Sequence, residues 1–364
     1  MIGDNIVVIG GYGHVGKVIC DILGHRFPGR VFAAGRDFEK AEALSLESDR
    51  RVLPLQIDLT DARSVEKTLD NARLVVVCVD QEDTSFARTC LDRGVHYVDI
   101  TASYGFLSRV ERLDTLARER GATGVLSVGL APGLTNLLAR HCKDVLGNVR
   151  DLDIYVMLGL GEAHGKAAVR WTLSNLDRRF EIRRAGVPRM VDSFEDPKRT
   201  VFPGKYGRRT AYLFDFADQH VVARTLDVEN VATRLCFDSA LMTRLVALLK
   251  RTGLLGVLTR PELLNVLVPL AMRFHPSRDE FVVKVDAEAT IGSNVRACSG
   301  SISGRGEGYA TGVVAALVAE RVYTAGLARG VFHIDQLFSP PSFFDRIKDY
   351  GLAIYLQPPQ TMAT

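Results

Sequence analysis

Through the first 130 residues, short apolar runs alternate with amphipathic stretches. Ile6–Ile9, Arg30–Ala34, Val52–Ile57, Leu74–Val79, His96–Ile100 and Gly124–Val128 read as strands. Between them, His14–Leu23, Phe38–Leu46, Ala62–Asp70, Thr84–Arg93 and Phe106–Arg120 repeat apolar residues at helical spacing. Repeated strand–helix units predict a parallel, doubly wound sheet. The pattern changes after Gly129-Leu-Ala-Pro-Gly133. Leu134–Leu146 reads as a long linking helix, Asp151–Leu158 as a strand, and His164–Asp177 as a helix. Phe180–Arg184, Pro188–Val191, Thr210–Phe216 and His220–Leu226 read as extended, and Phe281–Ile291 with Val295–Ser303 as two long alternating strands. That order predicts a mostly antiparallel sheet with helices on one face. Tyr309–Ala325, rich in small residues, is expected to pack back on the first domain, and the tail from Gln357 to Thr364 is expected to fray.

The first strand runs into Gly11-Tyr12-Gly13-His14-Val15-Gly16, which opens the first helix. In that setting the glycines have separate tasks: chain reversal at Gly11, close pyrophosphate approach at Gly13, and tight helix packing at Gly16. The expected fold is therefore α/β: an N-terminal Rossmann domain over residues 1–130, with 304–364 packed against it, and an α+β substrate or dimerisation domain over 131–303. Enzymes that use NAD place a carboxylate about 20 residues beyond the glycines, on the ribose 2′-hydroxyl. Here that count from Gly16 reaches Arg36, with Lys40 one turn into the next helix. A guanidinium pairs with a 2′-phosphate where a carboxylate repels it, so NADP(H) is expected over NAD, which Asp37 alone would serve. Asp58 at the third strand end, Cys78-Val79 at the fourth and Thr101 after the fifth complete the expected cofactor site, since ligands of open sheets lie at strand carboxyl ends.

Composition narrows the class. The chain has 364 residues, 47% hydrophobic and 24% charged, as in a folded globular protein. The net charge of +3, from dispersed basic residues, argues against a nucleic-acid partner. Six scattered cysteines without a CxxC pair point away from metal or disulfide frameworks and towards a reducing cytoplasm. The N-terminus lacks a signal-peptide pattern. The most apolar later stretch, Thr252–Phe274, is broken by Arg260-Pro261-Glu262 and by Pro269, so it reads as buried or partner-facing helices and not as a membrane span. No tyrosine is followed four residues later by lysine, no Gly-x-Ser-x-Gly elbow occurs, and no HExxH helix is present. These absences remove the short-chain dehydrogenase, α/β-hydrolase and zinc-protease readings.

Six segments together resemble the saccharopine dehydrogenase-like reductases: Gly10–Gly16, Ala34–Arg36, His96–Thr101, Gly129–Asn136, Tyr309–Gly312 and Gly330–Asp335. The resemblance implies NAD(P)-linked oxidation or reduction at a carbon–nitrogen bond, on a small imine or secondary amine; a homodimer is also expected. Among substrate-site candidates, Tyr97 and Asp99 end the fifth strand, with Asp99 placed to orient a substrate amine. Pro132 and Gly133 start a helix whose free amides can hold a carboxylate. His164 is a candidate proton donor, Lys166 and Arg170 are candidate carboxylate partners, and Trp171 is a candidate apolar wall. Two other readings stay open: a carbonyl reductase on the same scaffold, and a non-catalytic NADP-binding sensor or scaffold whose Leu254–Leu270 region meets a partner.

Overall fold

The structure, a computed structural model, describes residues 3–161, 166–271, 279–291 and 294–362. It divides into two compact units: Met1–Gly129 with Gly308–Phe338, and Leu130–Glu307 with Ser339–Thr364. The first begins β1 (Asn5–Ile9), α1 (His14–Arg26), β2 (Val31–Gly35), α2 (Phe38–Glu47), β3 (Val52–Gln56), α3 (Ala62–Leu69), β4 (Ala72–Val77) and α4 (Ser85–Asp92). It continues β5 (His96–Asp99), α5 (Tyr104–Glu111), α6 (Asp114–Glu119) and β6 (Thr123–Leu126). The helix expected over Phe106–Arg120 is thus two helices, which turn at the buried Leu113.

The second unit runs α7 (Thr135–Leu146), β7 (Asp151–Leu158), α8 (Lys166–Asn175), β8 (Arg179–Arg184), β9 (Val187–Asp192), β10 (Lys198–Phe202), β11 (Gly207–Leu213), α9 (Ala217–Thr225) and β12 (Asn230–Phe237). Then come α10 (Ala240–Arg251), α11 (Leu254–Leu258), α12 (Pro261–Ala271), β13 (Glu280–Ile291) and β14 (Asn294–Arg305). The chain returns to the first unit through α13 (Glu307–Thr324), β15 (Gly330–His333) and α14 (Ile334–Leu337). It ends in the second with α15 (Pro340–Lys348) and β16 (Ala353–Met362).

In the first unit seven strands pair in the order β15-β6-β5-β4-β1-β2-β3, all parallel. The central strands are buried along nearly their whole length, which is why they read as continuous apolar runs. Strand β3 carries Pro54, and β3 lies at the sheet edge where a missing N–H leaves no gap in the ladder. Strand order reverses between β1 and β4, and the carboxyl ends around that point form the expected ligand crevice of such a sheet. Helix α13 comes so close to α1 that a Cβ at Gly312 would lie 2.6 Å from Val18 Cβ.

The second unit holds a nine-stranded sheet with the path β10-β11-β12-β7-β13-β14-β16, from which β8 and β9 branch at β12. Among its pairs only β7–β12 is parallel. Helix α7 lies on β13 and β14, with Leu138 over Gly300, where a Cβ would come within 3.0 Å.

Three expectations fail here. His220–Leu226 lies in helix α9, not in a strand. The adjacent Val221 and Val222 are both fully buried, as a helix packed on α7 and β12 allows. The tail is not frayed but forms β16, paired antiparallel with β14 from Val295–Met362 to Ser303–Ala353. That pairing carries Ser339–Thr364 into the second unit, so of residues 304–364 only Gly308–Phe338 joins the nucleotide-binding unit.

Candidate active site

The glycine turn joins β1 to α1. Gly10 takes the left-handed conformation, with φ +78°, and both its amide and that of Gly11 donate to the Ala34 carbonyl, at 2.7 and 3.3 Å. A Cβ on Gly11 would lie 2.7 Å from Ala33 Cα, and one on Gly16 only 2.1 Å from the Gly10 carbonyl oxygen. Those two glycines are required by packing alone. Gly13 differs: it is exposed, its φ of −75° suits any residue, and a Cβ there would meet only the Gly10 oxygen at 3.1 Å. As N-cap of α1, Gly13 supplies no side-chain acceptor, and the helix has no acid in its first turn. The Gly13 amide donates to the Gly10 carbonyl at 2.8 Å, and no side chain caps the first turn of the 13-residue helix, a setting that fits a pyrophosphate.

Beyond β2, the surroundings fit an adenosine ribose carrying a phosphate. Tyr12 crosses the strand end: its hydroxyl accepts from the Asp37 amide at 3.1 Å, and a Cβ at Gly35 would strike its ring. Asp37 is the N-cap of α2 and accepts from the Lys40 amide at 3.2 Å; its carboxylate also pairs with Lys40 Nζ at 2.8 Å. The Lys40 ammonium beside it holds the Asp37 carboxyl below the usual range. Asp37 is thus engaged as a cap, and Lys40 is already neutralised. The exposed Arg36 guanidinium has no hydrogen bond or ion pair among the described residues. Asp58 accepts from both the amide and the hydroxyl of Thr60, at 2.9 and 2.8 Å, while Asp61 caps α3. His14 is exposed, Val15 and Val79 are half-buried, and Val79 lies under Gly10. Cys78 is half-buried, its amide bonds the Ile9 carbonyl at 2.9 Å, and burial pushes its thiol pKa well up, so it stays protonated.

At the end of β5 is a closed polar cluster. Tyr97 and Asp99 are completely buried. The Tyr97 hydroxyl donates to Asp99 Oδ2, and the Thr101 amide donates to Oδ1 at 2.7 Å. Gln81, from the loop after β4, donates through Nε2 to Tyr97 Oη at 2.8 Å and to Asp99 Oδ2 at 2.9 Å. Burial raises the Asp99 pKa against the lowering effect of these donors, and burial beside Asp99 raises that of Tyr97 as well. The two residues turn their polar atoms towards each other, so in this structure Asp99 positions its neighbours and presents no free oxygen to an amine. Gln81, which no sequence motif marks, leaves a buried Oε1 without a partner.

A second buried network holds the neighbouring strand ends. Ser127 follows β6 with φ +56°, its Oγ lies 2.7 Å from His333 Nδ1, and His333 Nε2 meets Glu111. His333 comes from β15, next to β6 in the sheet, although 206 residues separate it from Ser127.

In the second unit, Pro132 and Gly133 are buried ahead of α7, after a cis Ala131–Pro132 bond. The Gly133 amide, expected to be free for a carboxylate, donates to Asn136 Oδ1 at 3.0 Å. His164 lies outside the described residues, and Lys166 is the first residue of α8. Arg170 donates to Asn265 Oδ1 at 2.6 Å. Trp171 packs on Phe214 and Phe216, with ring centroids 5.6 and 5.5 Å away. A cleft of about 480 Å³ on the polar sheet face includes Asp153, Lys198 and Asp286; their charges pair internally, Lys198 with Asp153 at 2.5 Å and Lys284 with Asp286 at 2.8 Å. Among the described residues no group of three His, Cys, Asp or Glu could hold a metal, and no helix is long and apolar enough to cross a membrane.

A parallel doubly wound sheet with this glycine turn at its carboxyl edge has the architecture of a dinucleotide-binding domain, here joined to a largely antiparallel unit. Residues 6–125 match the family described as Saccharopine dehydrogenase NADP binding domain. The fold of the whole chain is similar to that of apo saccharopine dehydrogenase (L-Glu forming) from Saccharomyces cerevisiae, with TM-score 0.67 and 15% identity over 99% of this chain and 100% of that one. Weaker likenesses are to the DAP dehydrogenase of C. glutamicum in complex with DAP (TM-score 0.46, 10% identity, 96% and 99% covered) and to an engineered D-amino acid dehydrogenase bound to NADP+ (TM-score 0.45, 12% identity, 95% and 99% covered). The first unit thus carries a domain similar to the saccharopine dehydrogenase NADP-binding domain, and the fold of the whole chain is similar to that of saccharopine dehydrogenase. Its cofactor is NADP(H).

Proposed function

We propose that this protein reduces a carbon–nitrogen double bond, in an imine formed from an amino compound and a carbonyl, with NADPH as reductant. The observation that carries the cofactor half of this reading is the pairing of an uncapped α1 behind an exposed Gly13 with the unpaired guanidinium of Arg36. In it the first turn of α1, which no side chain caps, faces the pyrophosphate, Tyr12 flanks the ribose, and Arg36 takes the 2′-phosphate. The carbon–nitrogen half is supported by the end-to-end likeness to a dehydrogenase of saccharopine, itself a secondary amine.

NADPH, when bound, supplies the hydride. The chain must orient the imine, exclude water and keep a proton on its nitrogen, so that hydride adds to carbon and the electron pair of the C=N bond ends on a protonated amine. We assign the proton to His164, the charge partner of a substrate carboxylate to Lys166, and the apolar wall to Trp171. Arg170 can join them only by giving up Asn265. Asp99 acts as a positioning residue, fixing Tyr97, Gln81 and the Thr101 amide at the β5 end. Free cysteines throughout suit work in a reducing cytoplasm.

The test is NADPH consumption with a panel of amine–carbonyl pairs, set against each carbonyl alone. Consumption that needs both partners, and that falls steeply in His164→Ala, supports the reading. Equal rates with the carbonyl alone would make the protein a carbonyl reductase. Binding of NADPH with no turnover on any pair would make it a sensor.

A further inference from the structure

The stretch that read as buried or partner-facing helices is largely exposed. Along α10, Leu241, Leu245 and Leu248 are 76, 45 and 57% exposed and fall on one helical stripe. Leu254 and Val257 of α11 are exposed as well, and so are Leu263, Val266 and Leu270 of α12, again at the spacing of one face. Each helix keeps a separate inner face: Val246 and Ala247, Leu255, and Leu264 with Val268 are buried. Helix α11 packs on α10, and only Thr259 and Arg260 separate it from α12. Single exposed leucines are ordinary on protein surfaces, but eight exposed large apolar side chains on three consecutive helices call for a partner.

The charges decide which partner. Arg244 and Arg251 lie on the same side of α10 as its exposed leucines, and Arg260 joins α11 to α12; all three are exposed and pair with no carboxylate among the described residues. Lys250 is different, being committed to Asp177 at 2.5 Å. The only exposed acid on the three helices is Glu262. A second copy of the chain would bring the same cations to the same apolar patch across a two-fold axis, with little to neutralise them. An anionic surface matches them. None of the helices can span a bilayer: α12, the more apolar of the longer two, has 11 residues and is about 16 Å long against a hydrocarbon core of about 30 Å. Short helices with an outward apolar stripe and flanking arginines suit the plane of a lipid interface.

We propose that α10, α11 and α12 form a docking surface for an anionic lipid bilayer, with the leucine and valine side chains at the acyl boundary and Arg244, Arg251 and Arg260 among the headgroups. This holds the enzyme at a membrane surface whatever its substrate is, and it stands apart from the assignment of the reaction.

Flotation of the full chain with vesicles tests it, using phosphatidylcholine alone and phosphatidylcholine mixed with phosphatidylglycerol. The expected result is binding to the mixed vesicles, weakened by salt, with each Arg→Ala change lowering the partition coefficient roughly fivefold. A Leu245→Ser, Leu248→Ser, Val266→Ser variant should stay unbound while melting no lower than the parent, since all three side chains are exposed. Absence of binding to the mixed vesicles overturns the proposal, as does equal binding by parent and triple variant. A parent dimer that the triple variant dissociates, with no flotation, would assign the patch to a second copy instead.

Discussion

Gly13 and Gly16 are three residues apart in one turn, yet alanine should affect them in opposite ways. At Gly16 the new Cβ would sit 2.1 Å from the Gly10 oxygen and 2.8 Å from Gly11 Cα, both backbone atoms that cannot swing aside. Relief requires α1 to move off the turn, an overpacking cost of about 1–3 kcal/mol, of which the better helix propensity of alanine returns at most about 1. For a domain of about 150 residues, each net kcal/mol lowers Tm by about 2–4 °C. At Gly13 the backbone is already extended, and the nearest atom to a new Cβ is 3.1 Å away. Loss of a glycine N-cap costs about 0.5 kcal/mol or a little more, and a stiffer unfolded chain offsets about as much, so Tm should hold. The same Cβ would lie where a pyrophosphate must approach the α1 amides. Losing a charge-assisted hydrogen bond there is worth about 1.5–3 kcal/mol, or about 10–150-fold in the NADPH Kd. Fluorescence titration with NADPH alongside thermal melting separates the two effects. A Gly13→Ala protein that melts early but binds NADPH normally would refute the assignment of the turn, as would a Gly16→Ala protein with unchanged Tm.

Further predictions concern the groups around the turn. Arg36→Ala should raise the NADPH Kd about 10–100-fold and leave NADH unchanged, because Lys40 is already paired with Asp37; equal loss for both nucleotides would remove Arg36 from the 2′-phosphate. Asp99 has a raised pKa in the folded protein, so its protonated form favours folding: its contribution is full below the ordinary carboxylate value and is lost as pH rises through the raised value. The stability of the parent minus that of Asp99→Asn, read from urea melts, should therefore fall with rising pH; a difference that grows with pH contradicts this. Glu111→Gln should lower unfolding stability by about 1–3 kcal/mol by weakening the link to His333 and Ser127, and a loss below about 0.5 kcal/mol would make that network incidental.

Periodicity exposed most of the first unit because its strands are buried on both faces and its helices on one. The second unit hid more. Strand β12 carries Arg234 in its centre, buried and bound to Asp153 and Asp196, and this charge breaks an apolar run that would otherwise read as a strand. Strand β16 contains Pro358 and Pro359, which argue against a strand in sequence but are tolerated at the sheet edge, where the pairing shifts register between Ala297 and Ser299. The cofactor turn was legible because its logic is local. The polar clusters were not: Gln81 reaches Asp99 from a neighbouring loop, and His333 reaches Ser127 only because β15 lies beside β6. Local pattern also could not say that Asp37 would spend its carboxylate as a helix cap, or Gly133 its amide on Asn136.

The central claim is hydride addition to a carbon–nitrogen double bond, and deuterium tests it most directly. NADPH deuterated at nicotinamide C4, incubated with the enzyme and an active amine–carbonyl pair, should give a secondary amine with one deuterium on the carbon next to nitrogen, seen by mass spectrometry and NMR. Deuterium found instead in an alcohol derived from the carbonyl would contradict the account.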